Sequence, residues 1–304
     1  MNDRNQTAGR QTVSRRALLQ GGTLLLASSA LDVATASRLI AQEADEQPRL
    51  RMGLLTDTHY ADKTPAGTRH YRESIDKLAE AAEQFADEAP TMVIELGDFI
   101  DAADDVATEK KWLDEIVAEF KKLPGEKHFV LGNHCVATLT KPEFLDGVGQ
   151  ERSYYSFDKA GYHFVVLDAC FRNDDVAYGR NNFDWTDTNV SAAELEWLEA
   201  DLAAAEHKII IFGHQRLDVE GHYGVKNAPQ VRKLLEQSGK VLAVFQGHNH
   251  VNEHQLLGGI HYCTLMAVVE GSGDENNAYA IVDILAGDVL RVRGFRKQQH
   301  YQWT

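Results

Sequence analysis

The chain has 304 residues, of which 43% are hydrophobic and 25% are charged, and its formal net charge is −15. This composition is typical of a folded globular protein and is sufficient for one large α/β domain. The acidic balance, without a basic stripe, argues against binding to a nucleic-acid polymer. An anionic substrate would need positive charge concentrated at its site, which a bound metal would provide.

Residues 1–36 have the features of an export signal. Arg15 and Arg16 precede a modestly apolar run that ends in an A-x-A cleavage pattern at Ala36. Paired arginines before a weak apolar run resemble a bacterial twin-arginine signal, and the run is too short for a permanent membrane span. We therefore expect export by the twin-arginine machinery to the periplasm or the outside, cleavage near Ala36, and a short linker over 37–48. The alternative is an amphipathic arm that stays attached.

From residue 49 onward, apolar runs typical of strands alternate with amphipathic runs typical of helices. Strands are predicted over 49–57, 91–98, 127–134, 153–158, 162–169, 208–214 and 240–248, with short strands around 260–266, 278–284 and 289–294. Helices are predicted over 72–89, 107–123, 191–205 and 229–238. This alternation predicts mostly parallel strands with crossover helices, and the strand-only end predicts a second sheet or added edge strands. One domain over 49–304 is the simplest organisation.

Polar residues of metal-binding types follow the predicted strands at their carboxyl ends. They are Asp57 and His59, Asp98, Asn133 and His134, His214, and finally His248 and His250. The carboxyl ends of strands in an open α/β sheet meet at one crevice, so these side chains are expected to gather there. A strand-end aspartate is often only a turn former. However, the full set suits two divalent ions such as Mn, Fe or Zn, one carboxylate of the set bridging both.

The ordered set DxH, GD, GNH, GH and GHxH over residues 57–250 resembles that of the calcineurin-like metallophosphoesterases. The resemblance implies an α/β fold, a four-layer α/β/β/α sandwich, with a dinuclear centre at which a metal-bridging hydroxide attacks phosphorus. It assigns Asp57, His59 and His250 to one metal, Asn133, His214 and His248 to the other, and Asp98 to the bridge. It makes His134 a catalytic residue that faces the leaving group or the phosphoryl oxygens rather than a ligand.

Longer stretches, such as YADKTPAGTRHYRESIDKL over 60–78, are similar to the manganese-dependent ADP-ribose/CDP-alcohol diphosphatase subgroup. This similarity favours manganese and a nucleotide-type diphosphate or diester substrate. His59 departs from the subgroup, which often has glutamine there, and Cys135 follows GNH where the superfamily usually has an acid. Purple acid phosphatases need a tyrosine three residues after the bridging aspartate. This sequence has Asp101 at that position, which disfavours membership of that class.

Three residues outside the motifs are candidates for substrate contact. Arg69 and Arg72 could bind a phosphate through two guanidinium hydrogen bonds, although a solvated helix start is the alternative. His261, in the late strands, is the third. The predicted function is hydrolysis of a small phosphorylated substrate. A phosphomonoesterase or cyclic-nucleotide phosphodiesterase is the alternative within this class, and a non-catalytic scaffold is disfavoured because the ligand set is complete.

Overall fold

The computed structural model describes residues 47–304 with the exception of Asn181 and Phe183. The predicted signal segment over 1–36, and all but the end of the linker over 37–48, lie outside the described residues and stay predictions. Within the described part of the chain, each helix is too short or too polar to cross a membrane.

The strands and helices are numbered in chain order. The strands are β1 (Leu50–Leu55), β2 (Met92–Glu95), β3 (Glu126–Phe129), β4 (Tyr155–Lys159), β5 (Tyr162–Val166), β6 (Lys208–Phe212), β7 (Val241–Gln246), β8 (Glu253–Leu257), β9 (Ile260–Thr264), β10 (Ala278–Ile284), β11 (Leu290–Arg296) and β12 (Tyr301–Trp303). The α-helices are α1 (Ser74–Glu88), α2 (Val106–Phe120), α3 (Lys141–Val148), α4 (Ala192–Ala204) and α5 (Ala228–Ser238).

The strands form two six-stranded sheets, in the orders β12-β11-β10-β1-β2-β3 and β4-β5-β6-β7-β9-β8. Strands β1, β2 and β3 are parallel, as are β5, β6, β7 and β9. The β1–β10, β10–β11 and β11–β12 pairs of the first sheet and the β4–β5 and β8–β9 pairs of the second are antiparallel. The expectation of mostly parallel strands therefore holds for these two groups and is wrong for the remaining pairs, because tight hairpins and the C-terminal strands β10, β11 and β12 supply antiparallel neighbours.

Alternate residues of the central strands enter different cores, because successive side chains of a strand point to opposite faces. In β6, Ile210 lies in the core between the two sheets and Ile211 lies in the core under α4 and α5. In β2, Ile94 lies in the central core and Val93 lies in the core under α1 and α2. The layers are therefore helix, sheet, sheet and helix, which confirms the predicted four-layer α/β/β/α sandwich.

Sequence patterns missed three elements, namely α3, β8 and β12. Helix α3 has only eight residues and depends on a capping box, in which Glu143 Oε2 accepts from the backbone N–H and the hydroxyl of Thr140 at 2.9 Å each. Strands β8 and β12 lie at sheet edges and carry mixed polar and apolar residues, so neither gives a clear period.

The strand register places the ends of the central strands level with one another. Leu55, Glu95 and Phe129 are paired across β1, β2 and β3, and Phe212 is paired with Phe245 across β6 and β7. The loops that leave these strands therefore start from a common edge in each sheet. The predicted strands overran these ends, because the loop residues that follow leave the extended conformation.

Candidate metal centre

The loops after β1, β2 and β7 hold the predicted ligands in an unusual backbone conformation. Non-glycine residues with positive φ include Asp57 (52°), His59 (44°), Asp98 (56°), His248 (80°) and His250 (58°). The left-handed region is unfavourable for residues with a Cβ, by roughly 1–2 kcal/mol each. Such a conformation persists only where the surrounding structure enforces it, and it is concentrated at functional sites. The backbone thus turns these side chains toward one point rather than along the strands.

Asp57, His59 and His250 form the first group of potential ligands. Asp57 Oδ1 lies 3.2 Å from His250 Nε2 and 3.7 Å from His59 Nε2. The two imidazole Nε2 atoms are themselves 3.2 Å apart. These ligand atoms converge closely enough to hold one metal ion.

Asp98, His214 and His248 form the second group. Asp98 Oδ2 lies 3.1 Å from His214 Nε2, and that nitrogen lies 3.3 Å from His248 Nδ1. Asn133 lines the open cleft next to this group, and its buried Oδ1 has no hydrogen-bond partner among the described residues. A buried amide oxygen without a donor is costly, and a cation would satisfy it.

Asp98 joins the two groups. Its Oδ2 lies 3.5 Å from His59 Nε2 as well as 3.1 Å from His214 Nε2, while its Oδ1 accepts the backbone N–H of His134 at 2.7 Å. Burial raises the pKa of this carboxyl, but the neighbouring His214 and His134 outweigh burial and hold the pKa well below its usual range. The geometry is that expected of a carboxylate shared between two cations.

Hydrogen bonds behind the imidazoles fix which nitrogen faces the centre. Nδ1 of His214 lies 2.9 Å from the carbonyl oxygen of Leu96, and Nδ1 of His250 lies 2.6 Å from Glu270 Oε1. Each Nδ1 must donate to these acceptors, so each Nε2 presents its lone pair to the centre when the ring is neutral. Lone pairs and carboxylate oxygens at these distances repel one another unless a positive charge lies between them.

Protons provide that charge in the protein without metal. Burial lowers the pKa of His250, but the negative charge and hydrogen bonds of Asp57 and Glu270 outweigh burial and raise it to about 9. The pKa of Glu270 is correspondingly lowered to about 2, chiefly by its hydrogen bond to His250. The residues present therefore fit divalent cations with imidazole and oxygen ligands.

His134 is oriented by Asp101 and not by the residue that follows it. His134 Nδ1 lies 2.5 Å from Asp101 Oδ1, and the same oxygen lies 3.7 Å from His59 Nδ1. Burial raises the pKa of Asp101, but the contacts with His134 and His59 hold it well below its usual range. Cys135 is buried, and its sulfur accepts the backbone N–H of Phe99 at 3.4 Å. The carboxylate that the GNH motif lacks is thus supplied by the loop after β2.

A cleft of about 380 Å³ opens over these residues. Among the predicted site residues, Asp98, Asn133, His134, His248 and His250 line it. Arg69 also lines it, as predicted for a substrate contact, together with Trp185 and Tyr223. Asp57, His59 and His214 are fully buried beneath it.

The other two predicted substrate contacts are not brought into the cleft. Arg72 lies in the short turn before α1, where it donates from Nε to Asp62 Oδ1 at 2.5 Å. His261 belongs to β9, where Nδ1 lies 2.9 Å from His254 Nε2 and the ring stacks on Trp303. Helix direction and sheet pairing, which sequence position does not reveal, remove both from the site.

Sequence reasoning missed four residues of this region: Asp101, Glu270, Trp185 and Tyr223. Asp101 carried a signal, since an acid three residues after Asp98 and near GNH could compensate for Cys135. The others lie in irregular loops and show no periodic pattern.

Known proteins resemble this chain along most of its length. The model of the family described as "Calcineurin-like phosphoesterase" matches residues 50–252. A relative from Xenopus laevis named manganese-dependent ADP-ribose/CDP-alcohol diphosphatase is 23% identical over 87% of this chain and 94% of its own length. An Arabidopsis thaliana relative of the same name is 25% identical over 75% of this chain and 88% of its own length. The structure of a dimetal phosphatase from Danio rerio superposes with a TM-score of 0.74 at 23% identity, covering 85% of this chain and 99% of that protein.

Proposed function

Since the chain belongs to the calcineurin-like phosphoesterase family and is a metal-dependent phosphoester hydrolase, we propose that its substrate is a nucleotide-type diphosphate cleaved at the phosphoanhydride bond. The observation that carries metal-dependent hydrolysis is the pair of ligand groups that meet at Asp98 beneath an open cleft. When bound, two divalent ions in such a site supply a hydroxide nucleophile near neutral pH and stabilise the charge on phosphoryl oxygens.

The residues of the chain have distinct proposed tasks. Asp57, His59 and His250 would hold one ion, and Asn133, His214 and His248 would hold the other, with Asp98 shared between them. Manganese is favoured, because the relatives carry it in their name. Glu270 and the Leu96 carbonyl keep the Nδ1 protons of His250 and His214 away from the ions.

His134 is proposed to act on the leaving group. Its ring lines the cleft beside Asp98, and Asp101 holds Nδ1 at 2.5 Å. A carboxylate at Nδ1 stabilises the protonated ring and fixes its orientation. Nε2 is then the atom that delivers a proton to the departing oxygen, while the Asp101 carboxylate remains charged.

The substrate class rests on the relatives' names and on the volume of the cleft, which at about 380 Å³ leaves room for a group larger than phosphate. The test is a panel of ADP-ribose, CDP-alcohols, cyclic nucleotides and phosphomonoesters, each with manganese, iron(II) or zinc. We expect the highest kcat/KM for the diphosphates with manganese. Higher kcat/KM for monoesters or cyclic nucleotides would replace the proposal by one of those activities, and no turnover of any substrate by metal-loaded protein would favour a binding scaffold.

We further propose that the protein is exported by the twin-arginine route. The support is the sequence of residues 1–36, with Arg15 and Arg16 ahead of the apolar run and the A-x-A pattern at Ala36. This route carries folded proteins, so the metal centre could be loaded before export. Replacing both arginines by lysine should leave the precursor unprocessed in the cytoplasm, and normal processing of that variant would contradict the route.

A further inference from the structure

We propose that Trp185 and Tyr223 form an aromatic platform that stacks on the base of the substrate nucleotide, beside the metal group that contains His248. This inference rests on the proposed function and names the part of the substrate that the cleft recognises. Neither residue belongs to a metal motif, and they come from two different loops.

The aromatic platform stands at the mouth of the cleft. The Trp185 and Tyr223 rings are 5.6 Å apart between centroids, and they lie 6.1 Å and 5.8 Å from the His248 ring. Their exposed fractions are 40% and 45%, among the highest for large hydrophobic residues in the described part of the chain. Neighbouring exposed aromatic rings beside a reactive centre are unfavourable in water and favour a ligand with an apolar face.

The loop of Trp185 is built to hold the indole in place. The ring lies in a turn closed by a 2.8 Å hydrogen bond from Asp187 N to the Asp184 carbonyl oxygen. The hydroxyl of buried Tyr178 lies 2.7 Å from that oxygen and 2.9 Å from the Asp187 carbonyl oxygen. Both ends of the turn are therefore tied to the protein interior, which fixes the backbone from which the indole projects.

The loop of Tyr223 is tied to the loop after β6 that carries the candidate ligand His214. The backbone N–H of Arg216, two residues after His214, donates to the Tyr223 carbonyl oxygen at 3.3 Å, and Val225 N donates back to the Arg216 carbonyl oxygen at 2.9 Å. Lys226 N then donates to the Thr188 carbonyl oxygen at 2.8 Å. The two aromatic loops are thus connected to each other and to the base of the centre.

The ring geometry selects the mode of contact. The platform rings are tilted by 43°, and a centroid separation of 5.6 Å leaves no space for a third ring between them. Insertion would need about twice the carbon contact distance of roughly 3.5–4 Å. A planar base would instead lie on the outer face of the pair. Since stacking does not depend on base edges, the platform would accept adenine and cytosine alike.

Arg69 limits the orientation of the substrate. It lines the same cleft, and its backbone forms a bridge with Glu270, the partner of His250. The cation therefore lies near the metal group of His250, whereas the platform lies near His248. A diphosphate that places its base on the platform reaches Arg69 with its distal half, where the guanidinium can bind a phosphate oxygen.

The test compares ligands that differ only in the base. Manganese-loaded protein is titrated calorimetrically with AMP and with ribose 5-phosphate, for the wild type and for Trp185→Ala and Tyr223→Ala. We expect either variant to weaken AMP binding by about 5- to 150-fold, the range for loss of one base-stacking ring. Ribose 5-phosphate binding should be unchanged. Trp185→Phe and Tyr223→Phe should keep most of the affinity, because the contact uses the ring face.

The matched control is Trp197→Phe, since Trp197 lies on α4 and contacts Tyr154 rather than the cleft. Equal AMP affinity in the wild type and both alanine variants would overturn the platform, as would equal losses for AMP and ribose 5-phosphate. A different result would overturn the proposed function alone: ADP-ribose is not hydrolysed, but the alanine variants still bind AMP more weakly than the wild type does. If ADP-ribose is hydrolysed with the same KM by the alanine variants, the platform fails and the function stands.

Discussion

His134 Nδ1 lies 2.5 Å from Asp101 Oδ1, so the histidine of the GNH motif takes its carboxylate partner from the loop after β2. The neighbouring Cys135 is buried, and its sulfur accepts a hydrogen bond from the Phe99 backbone N–H. It carries no charge with which to orient the imidazole. The charged partner of the motif therefore comes from a residue that is distant in sequence but adjacent in the fold.

Asp101→Asn should lower kcat for substrates with poor leaving groups by about 10- to 100-fold, the usual effect of removing a hydrogen-bonded carboxylate behind a functional histidine. The neutral amide keeps the shape but cannot stabilise a protonated ring. Two metals per chain should remain by elemental analysis. Asp104→Asn, on the exposed part of the same loop, is the matched control. A kcat for Asp101→Asn equal to that of this control would remove Asp101 from the mechanism.

His134→Ala should leave two metals bound and lower kcat by about 10²–10⁴, as expected for loss of a positioned general acid. The loss should be small for p-nitrophenyl esters, whose leaving group needs no proton, and large for alkyl or sugar leaving groups. Steady-state rates across such a leaving-group series are the measurement. Equal losses across the series would exclude the acid role, and loss of one metal would make His134 a ligand.

Asp98→Asn should reduce metal content and activity together. The Asp98 Oδ2 atom lies 3.1 Å from His214 Nε2 and 3.5 Å from His59 Nε2, so both ligand groups depend on its charge. A neutral amide is a weaker bridge between two cations. Elemental analysis with parallel kcat measurements tests this. If two metals are retained at an unchanged rate, the shared ligand must be another residue.

The metal affinity of the protein should decrease as the pH is lowered, because His250 must lose its proton to bind an ion. Its pKa without metal is raised to about 9, so affinity should decline below that pH by about tenfold per unit. Titrations of metal-free protein with manganese at several pH values measure the slope. Glu270→Gln, which removes the carboxylate at 2.6 Å, should weaken binding by about 10- to 100-fold and flatten the slope. A slope unchanged from the wild type would show that another group controls the affinity.

Protonation of His250 opposes metal binding but stabilises the metal-free fold. Because the folded pKa of His250 lies above the unfolded value of about 6.5, its contribution is complete below about pH 6.5 and is lost as the pH rises through about 9. Chemical denaturation of metal-free protein should therefore show a decrease in the free energy of unfolding over this window. His250→Asn should lack this decrease.

Local pattern alone determined much of this architecture. Apolar runs predicted the central strands β1, β2, β6 and β7, and the strand-end residues Asp57, Asp98 and His248 were identifiable because each stands within three residues of the end of such a run. These features depend on neighbours in sequence, which is why α1, α2, α4 and α5 were also predicted. Short or edge elements such as α3 and β12 depend instead on a cap or on one partner strand, so their patterns were too weak.

Only the tertiary structure decided which residues support the ligands and which ones line the cleft. Glu270 reaches His250, Asp101 reaches His134, and Trp185 meets Tyr223 through loops whose course is set by packing and by single backbone turns. Arg69 lines the cleft, while Arg72, three residues later, pairs with Asp62 outside it. Strand periodicity places a ligand to within a residue, because its repeat is local. Loop contacts have no repeat, and they are fixed by long-range packing that the sequence does not display.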